Sequence, residues 1–434
     1  MKRQIFETLT LEKVVGGGQA LGTLADGRKC FVWGGLPGET VTVRITKKKS
    51  HLVEAVVEEV ISPSPDRIQP RDPNSYLSTS PWQIMPLEIE QTYKAQLIDD
   101  AFALHGVALP AVIDIYCDNV VYGYRNKVEF SWYSEAGESG DTLDLAFFRR
   151  GSKGKIIVNG TSLARPEINN LARAIRDLLR HKRVAAHQLK TLLIRCDQSG
   201  SCVWQLYLKD HLPEIITADE AAKLPAQGGE VIYSDPRSPA SRITERLVCF
   251  GNTTLTDTIL GVPFRYACEG FFQVNVPVYE QALRDMREWV PLATDQPILD
   301  FYAGVGTIGL TIASGNITLV EINADAVREM QRNITELGRT DARAVLAPSE
   351  QALDHITGRE IVIVDPPRAG LHPDVIATLL QQLPPRILYL SCNPVTQARD
   401  VASLQQYYRI VHHRGYNFFP RTPHSEHLVV LDKK

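Results

Sequence analysis

The run Leu388-Tyr389-Leu390-Ser391-Cys392-Asn393-Pro394 is apolar up to the point where it delivers a thiol. Pro394 has no N–H and disfavours helical geometry at the residue before it, so the run reads as a strand that ends in a rigid turn at Cys392. A cysteine kept for packing is ordinarily a small buried hydrophobe; this one is presented. Three further stretches place polar groups at comparable points. Asp365 ends the apolar run 361–364 and precedes two prolines, "ILDFYAGVGTIGL" sets Gly304 and Gly306 at a strand-to-helix turn, and Glu426 stands just before the final run "HLVVL". A thiol nucleophile with a carboxylate base is a workable pair for covalent catalysis. Each group alone also has a plain reading: a tight turn for the G-x-G, a capping carboxylate for Asp365, a surface residue for Glu426.

The two glycines let a backbone approach a ligand closely, and Glu321 ends the next strand, where a carboxylate holds ribose hydroxyls. The third glycine of the dinucleotide fingerprint is missing, since Gly309 falls where the helix begins. That combination fits an adenosine ligand without a pyrophosphate, and S-adenosylmethionine is the expected one.

These groups need elements to hold them. From about residue 270, short apolar strands alternate with helices, the pattern of a parallel α/β sheet, whose carboxyl edge binds ligands. Residues 5–60 alternate apolar and polar residues between Gly16-Gly17-Gly18, Asp26-Gly27, Gly34-Gly35 and Pro37-Gly38, which predicts hairpins in a small β-barrel. A proline-rich linker follows. Apolar residues at Ile89, Tyr93, Leu97 and Ala101 predict a helix over 87–105. The stretch from 120 to 260 reads mostly as strands with one helix at 165–182. The expected fold is a multidomain α/β protein: an OB-like barrel at 1–62, a central α+β domain at 63–260, and a Rossmann-like domain at 261–434. The segment 87–110 is expected to pack on the last of these.

Composition excludes little. The chain has 434 residues, a net charge of −3 and an ordinary charged fraction of 22%, so no global charge argues for nucleic acid. Two local basic runs exist, "RITKKKSH" with Lys47, Lys48 and Lys49, and "FRRGSKGK" at 148–155. Seven cysteines occur with no C-x-x-C, so no metal site is expected from spacing. No apolar run approaches the roughly 20 residues of a membrane helix, and the charged opening has no signal-peptide core. A cytoplasmic protein without membrane contact is expected.

The stretches "FFQVN" (271–275), "LDFYAGVGTIGL" (299–310), "DPPRAG" (365–370), "SCNPVTQARD" (391–400) and "FFPRTPHSEHLVVL" (418–431) resemble the RNA uracil-C5 methyltransferases. These are class I S-adenosylmethionine enzymes that make 5-methyluridine. "SCNP-x-T-x-x-RD" with "P-x-T-x-H-x-E" is the specific part, and the N-terminal stretch resembles an RNA-binding TRAM barrel. The resemblance implies that Cys392 is the nucleophile and Glu426 the base. It implies that Gln273, Tyr302, Gly304, Gly306, Thr307, Glu321 and Asp365 meet cofactor or target base. It further implies that Arg125 and Lys127 face RNA, with Lys47, Lys48 and Lys49 on the barrel. A monomer acting on a uridine of 23S ribosomal RNA is expected, with uridine 54 of transfer RNA as the alternative.

Many members of that family hold an iron–sulfur cluster on four cysteines, three just after the barrel. Here that region reads "RDPNSYLSTSPWQIM", and "VNGTSLARP" lacks the fourth, so no cluster is expected. A cytosine-C5 enzyme would add a cysteine in the loop after Asp365, which instead reads Pro366-Pro367-Arg368. A non-catalytic RNA-binding assembly factor is the remaining rival, and intact Cys392, Glu426, Gln273 and Asp365 argue against it.

Overall fold

The computed structural model describes residues 4–135, 142–289 and 296–434; the first three residues of the charged opening lie outside them. The chain forms two compact units, one of residues 1–90, 120–255 and 420–423, the other of 91–119, 256–419 and 424–434. Among the described residues no helix is long and apolar enough to cross a membrane.

In the first unit, Phe6–Val15, Gln19–Thr23, Lys29–Trp33, Thr40–Lys48 and Leu52–Ser62 close into a barrel in the order first, second, third, fifth, fourth. That is a Greek-key path of the OB type. Period-two alternation points Leu11, Val32, Val41, Val43, Val53 and Ala55 inward. One end is fixed by Glu39, fully buried, whose carboxylate accepts from the Leu36 and Ser64 amides and from the Arg67 guanidinium at 2.5 and 2.7 Å. The same unit holds a seven-stranded sheet in the spatial order Glu245–Gly251, Gly228–Tyr233, Cys202–Leu208, Leu189–Cys196, Lys127–Glu135, Thr142–Phe148, Lys155–Ile157. Helix Pro166–His181 starts on a proline suited to the first helical position and lays Ile168, Leu171, Ile175 and Leu179 into the core of that sheet.

The second unit is built on an eight-stranded sheet. Its spatial order is Ala342–Leu346, Ile317–Glu321, Ile298–Phe301, Ile361–Val364, Arg386–Ser391, Glu426–Lys433, Tyr408–Tyr416, Ile115–Tyr116. Only Glu426–Lys433 runs antiparallel to its neighbours. Strand order reverses between Ile298–Phe301 and Ile361–Val364, and ligands bind at the carboxyl side of such a switch point. The central strands are buried throughout, as sheets covered by helices on both faces require.

The helix at Leu87–Leu104 keeps the predicted period but not the predicted face. Its buried residues are Glu90, Lys94, Ile98, Ala101 and Phe102, not the line from Ile89 through Tyr93 and Leu97. Two charged side chains set the phase, because each has a polar partner inside. The Lys94 ammonium donates to Asn417 Oδ1 at 2.6 Å and to the Phe419 carbonyl at 3.2 Å. The Glu90 carboxylate accepts the Arg421 amide at 3.0 Å. A buried charge is tolerated when it is hydrogen-bonded, and apolar periodicity cannot reveal that.

Candidate active site

Each chemical group sits where a strand of the second unit ends. After Ile298–Phe301 the backbone turns through left-handed geometry at Tyr302, Gly304 and Gly306 (φ 63, 57 and 89°) before helix Thr307–Ile312. A Cβ at Gly304 would meet nothing, so this glycine is needed for its φ and for open access. Gly309 carries out the packing task of the fingerprint's last glycine. A Cβ there would lie 2.3 Å from Ile317 and 2.8 Å from the Asp300 carboxylate, to which the Gly309 amide donates at 3.0 Å. Asp300 is thereby a structural acid, fully buried, with its pKa raised to about 8 by burial.

Glu321, at the end of its strand, accepts from the Gly304 amide at 3.0 Å and the Asn323 amide at 2.8 Å. Asn323 in turn caps helix Ala324–Glu336. The carboxylate is held in place while still lining the open space before it. Tyr302, strained at positive φ, accepts a hydrogen bond from the Ser349 hydroxyl at 2.8 Å.

The thiol and its neighbours are fixed by register. Arg386–Ser391 pairs with Glu426–Lys433 as far as Ser391 opposite His427; Cys392 follows the first of these strands, Glu426 opens the second, and both line one cleft. Much of the surrounding sequence holds this corner. Asn393 caps helix Pro394–Leu404 and donates to the Arg368 carbonyl at 2.8 Å, and the Thr396 hydroxyl donates to the same carbonyl at 3.2 Å. Arg399 donates to the Ala369 carbonyl at 3.0 Å, while buried Asp400 accepts from the Leu371 amide and the Tyr389 hydroxyl, each at 2.8 Å. The loop that begins at Asp365 is thus tied to the turn that carries Cys392. Gln397 donates to the Tyr389 and His427 carbonyls, both at 2.9 Å, and joins the two strands behind the pair.

These groups share a cleft of about 710 Å³, within the size range of small-molecule sites. Its walls include Gln273, Tyr302, Gly304, Glu321, Asp365, Cys392 and Glu426. Gly306 and Thr307 lie behind it. Gly306 packs on Leu310 and Met330, and the Thr307 hydroxyl is 2.8 Å from that of Tyr279. Arg125, Lys127 and the lysines at 47–49 belong to the first unit and take no part in the cleft. Lys47, Lys48 and Lys49 are exposed, whereas Arg125 and Lys127 are half-buried.

Sequence reasoning did not single out Arg368, His424, Phe419, Phe271 or Ile322, all on the cleft wall. Arg368 lies 3.3 Å from His424 Nδ1. Phe271 and Ile322 are 69% and 65% exposed at its rim, where they offer apolar surface to a ligand. For Arg368 and His424 a signal existed, since both stand inside quoted motifs; for Ile322 the signal was its place next to Glu321.

Charge in the cleft is arranged against ionisation. Burial pushes the Glu426 and Asp365 carboxyls upward, and Asp365 further opposes the charge of Glu426. Arg368 works the opposite way on Glu426. The Cys392 thiol is raised to about 11, first by burial, then by Glu426 and Asp365, against a lowering by Arg368. Two close carboxyls that cannot both ionise easily are a recurrent feature of acid–base sites. Among the described residues, no group of three or more His, Cys, Asp or Glu is placed to hold a metal ion.

Comparison with known proteins bears on what such a cleft does. Residues 350–434 match the family model described as tRNA (uracil-5-)-methyltransferase. An uncharacterised RNA methyltransferase of Nitratidesulfovibrio vulgaris is 29% identical, covering 98% of this chain and 96% of that protein. One of Thermosynechococcus vestitus is also 29% identical, covering 98% and 97%. The crystal structure of Pyrococcus abyssi tRNA (uracil-54, C5)-methyltransferase in complex with S-adenosyl-L-homocysteine aligns with a TM-score of 0.78, covering 98% of this chain and all of that one. At 21% identity that likeness is one of fold, and it spans the barrel, the central sheet and the Rossmann-like sheet.

Proposed function

We propose that the chain is an RNA uracil-C5 methyltransferase, which methylates C5 of a uridine in RNA through a covalent bond between Cys392 and C6; the family match over residues 350–434 and the RNA methyltransferase relatives support this reading. The observation that carries this reading is that Cys392 and Glu426, at the ends of two paired strands, line one cleft with Glu321 and Asp365.

S-adenosylmethionine is the cofactor, and the residues present fit it. Glu321 is held by two amides with its carboxylate on the cleft wall, as ribose hydroxyls require, and Gly304 leaves its turn open. Phe271 and Ile322 offer apolar surface for an adenine ring. Bound there, the cofactor supplies an electrophilic methyl group.

The chain's own residues supply the rest. Uracil C5 is a poor nucleophile until a thiolate adds at C6. Cys392 makes that bond, and the electron pair of the C5–C6 double bond moves toward C5 and O4. Arg368, the cation that faces this charge, favours both the thiolate before addition and the anionic adduct after it. Once C5 carries the methyl group, the Glu426 carboxylate takes the C5 proton, and the Cys392–C6 bond breaks to restore the ring. Gln273 and Asp365, on the wall of the same cleft, would hydrogen-bond the uracil edge. Reaching the base requires it to be unpaired or flipped out.

The order of steps gives the test. Cys392→Ala should abolish transfer yet leave cofactor binding intact. Glu426→Gln should form the adduct, accept the methyl group and stall, so a methylated RNA–protein species persists through denaturing electrophoresis. Adding Cys392→Ala should remove that species. Normal turnover by Glu426→Gln, or trapped RNA without Cys392, would sink the assignment.

For the target, our reading is ribosomal RNA. A transfer RNA read at uridine 54 is the second reading, supported by the Pyrococcus abyssi neighbour. The barrel does not separate them, because that enzyme matches over the full length. Mapping 5-methyluridine by mass spectrometry in both RNA classes from a deletion strain decides between them.

A further inference from the structure

The second basic run, "FRRGSKGK", lies outside the cleft. Thr142–Phe148 and Lys155–Ile157 pair antiparallel, with Phe148 opposite Lys155, and the intervening tip forms a short hairpin. Its last strand residue, Phe148, is 66% exposed. The tip beside this ring is anchored within its own unit. The Arg150 amide donates to Ser78 Oγ at 3.0 Å, the Arg150 guanidinium donates to the Leu77 carbonyl at 2.5 Å, and it lies 4.0 Å over the Trp33 ring. Gly151, at φ 71°, leaves no room for a Cβ against Val56 and Thr46. Within the hairpin, the Arg149 amide donates to the Gly154 carbonyl at 2.8 Å. Lys155 places its ammonium 5.1 Å from the Phe148 ring centre and fixes itself on the Trp132 carbonyl at 2.7 Å. Arg149 and Lys153, in the same hairpin, are exposed.

An exposed aromatic ring with a cation beside it, on an anchored hairpin that carries two further exposed cations, matches one kind of partner. Unpaired nucleobases stack on such rings, and the adjoining phosphates pair with Lys and Arg. A protein partner of apolar chemistry would bury the three cations beside it without compensation. We propose that Phe148 is a stacking platform for an unpaired base of the RNA substrate, away from the reacting uridine, with Arg149, Lys153 and Lys155 holding the flanking phosphates. This rests on the reading of the chain as an RNA-modifying enzyme.

The test measures binding of a fluorescein-labelled single-stranded RNA 20-mer of mixed sequence to the full-length protein, by anisotropy over a range of salt. Phe148→Ala should weaken binding roughly 5- to 100-fold, the range of one base stack, with an unchanged salt slope. Phe148→Trp should bind like the parent, and Phe148→Leu, apolar but without a π face, should resemble Phe148→Ala. Arg149→Gln with Lys153→Gln should instead reduce the salt slope by about 1.4, at roughly 0.7 per phosphate on a single strand. Equal binding by Phe148→Ala, or by Leu and Trp variants alike, overturns the proposal. Binding of S-adenosylhomocysteine by each variant serves as the check on folding, and the Leu–Trp contrast stands even if the alanine variant folds poorly. Failure of the proposed chemistry looks different: the parent protein would bind the RNA with this Phe148 dependence but transfer no methyl group to any RNA.

Discussion

Cys392 has to ionise where its surroundings resist it. With its thiol raised to about 11 by burial, Glu426 and Asp365, the thiolate at pH 7 amounts to on the order of one molecule in ten thousand. Arg368 offsets part of this. A cationic ligand would offset more. A unit charge 4 Å away favours the thiolate by about 4 kcal/mol at an effective dielectric of 20, roughly a thousandfold in population. S-adenosylmethionine carries such a charge on sulfur and S-adenosylhomocysteine, nearly the same shape, does not. Alkylation of Cys392 by iodoacetamide, followed on its own peptide by mass spectrometry, should therefore rise about tenfold per pH unit between pH 7 and 10 in the free protein. At pH 7 it should be at least tenfold faster with the charged ligand than with the neutral one. Arg368→Gln should move the free-protein profile to higher pH. Identical rates with both ligands would mean that the cofactor's charge plays no part in activating the thiol.

At the scale of elements, the segment after the barrel shows how polar side chains join two stretches of chain. Asp72 Oδ2 accepts from the Ser162 hydroxyl at 2.7 Å, the Ser162 amide at 3.0 Å and Gln83 Nε2 at 3.1 Å. The Asp72 amide donates back to Gln83 Oε1 at 3.0 Å, and Gln83, fully buried, also donates to Ser80 Oγ at 2.6 Å. Segment 71–86 and loop 159–164 are thus stapled by a carboxylate network, in the two places where the family resemblance leads one to look for cluster cysteines. Hydrogen bonds to a charged group contribute about 1.5–3 kcal/mol each. Asp72→Ala should lower stability by about 3 kcal/mol in urea denaturation, while dialysis against a chelator should leave the curve unmoved and metal analysis should find no iron. A chelator-sensitive transition would show a metal that the cysteine spacing does not betray. Such networks explain which parts of the fold were legible. Strands and helices whose apolar residues keep period, such as Pro166–His181 with Ile168, Leu171, Ile175 and Leu179, declare themselves. The buried face of Leu87–Leu104 does not, because Glu90 and Lys94 define it, and a charged residue reads as exposed until its partner is seen. The signature around Cys392 was legible as a motif but not as architecture. Asn393, Thr396, Arg399 and Asp400 hold the loop that follows Asp365.

Over the whole molecule, a net charge of −3 conceals a division. Basic residues outnumber acidic ones in the unit that holds the barrel and the seven-stranded sheet, and acidic ones predominate in the unit that holds the cleft. A single sum over the chain cannot show this, because the two units are interleaved in sequence. An excess of basic residues gives the first unit the sign of charge that attracts phosphate. The barrel's share of this attraction is best tested without removing it. The Trp82 indole donates to the Gly18 carbonyl at 3.0 Å, and Arg150 stacks on Trp33, so a deletion of residues 1–62 would strip buried partners from what remains. Lys47, Lys48 and Lys49 close the hairpin between Thr40–Lys48 and Leu52–Ser62 and are exposed, with Lys47 weakly paired to Glu54 at 3.3 Å. Replacing all three with glutamine should cost little stability, since an exposed ion pair contributes about 0–1 kcal/mol. If each lysine meets a phosphate, the slope of log affinity against log salt should fall by about two to three, because each phosphate left unneutralised keeps its counterion. Binding of S-adenosylhomocysteine and the rate of methyl transfer at saturating RNA should stay as they were, because no lysine of the three lines the cleft. An unchanged salt slope in the triple variant would place the RNA elsewhere on the first unit, and a loss of cofactor binding would tie the barrel to the catalytic unit.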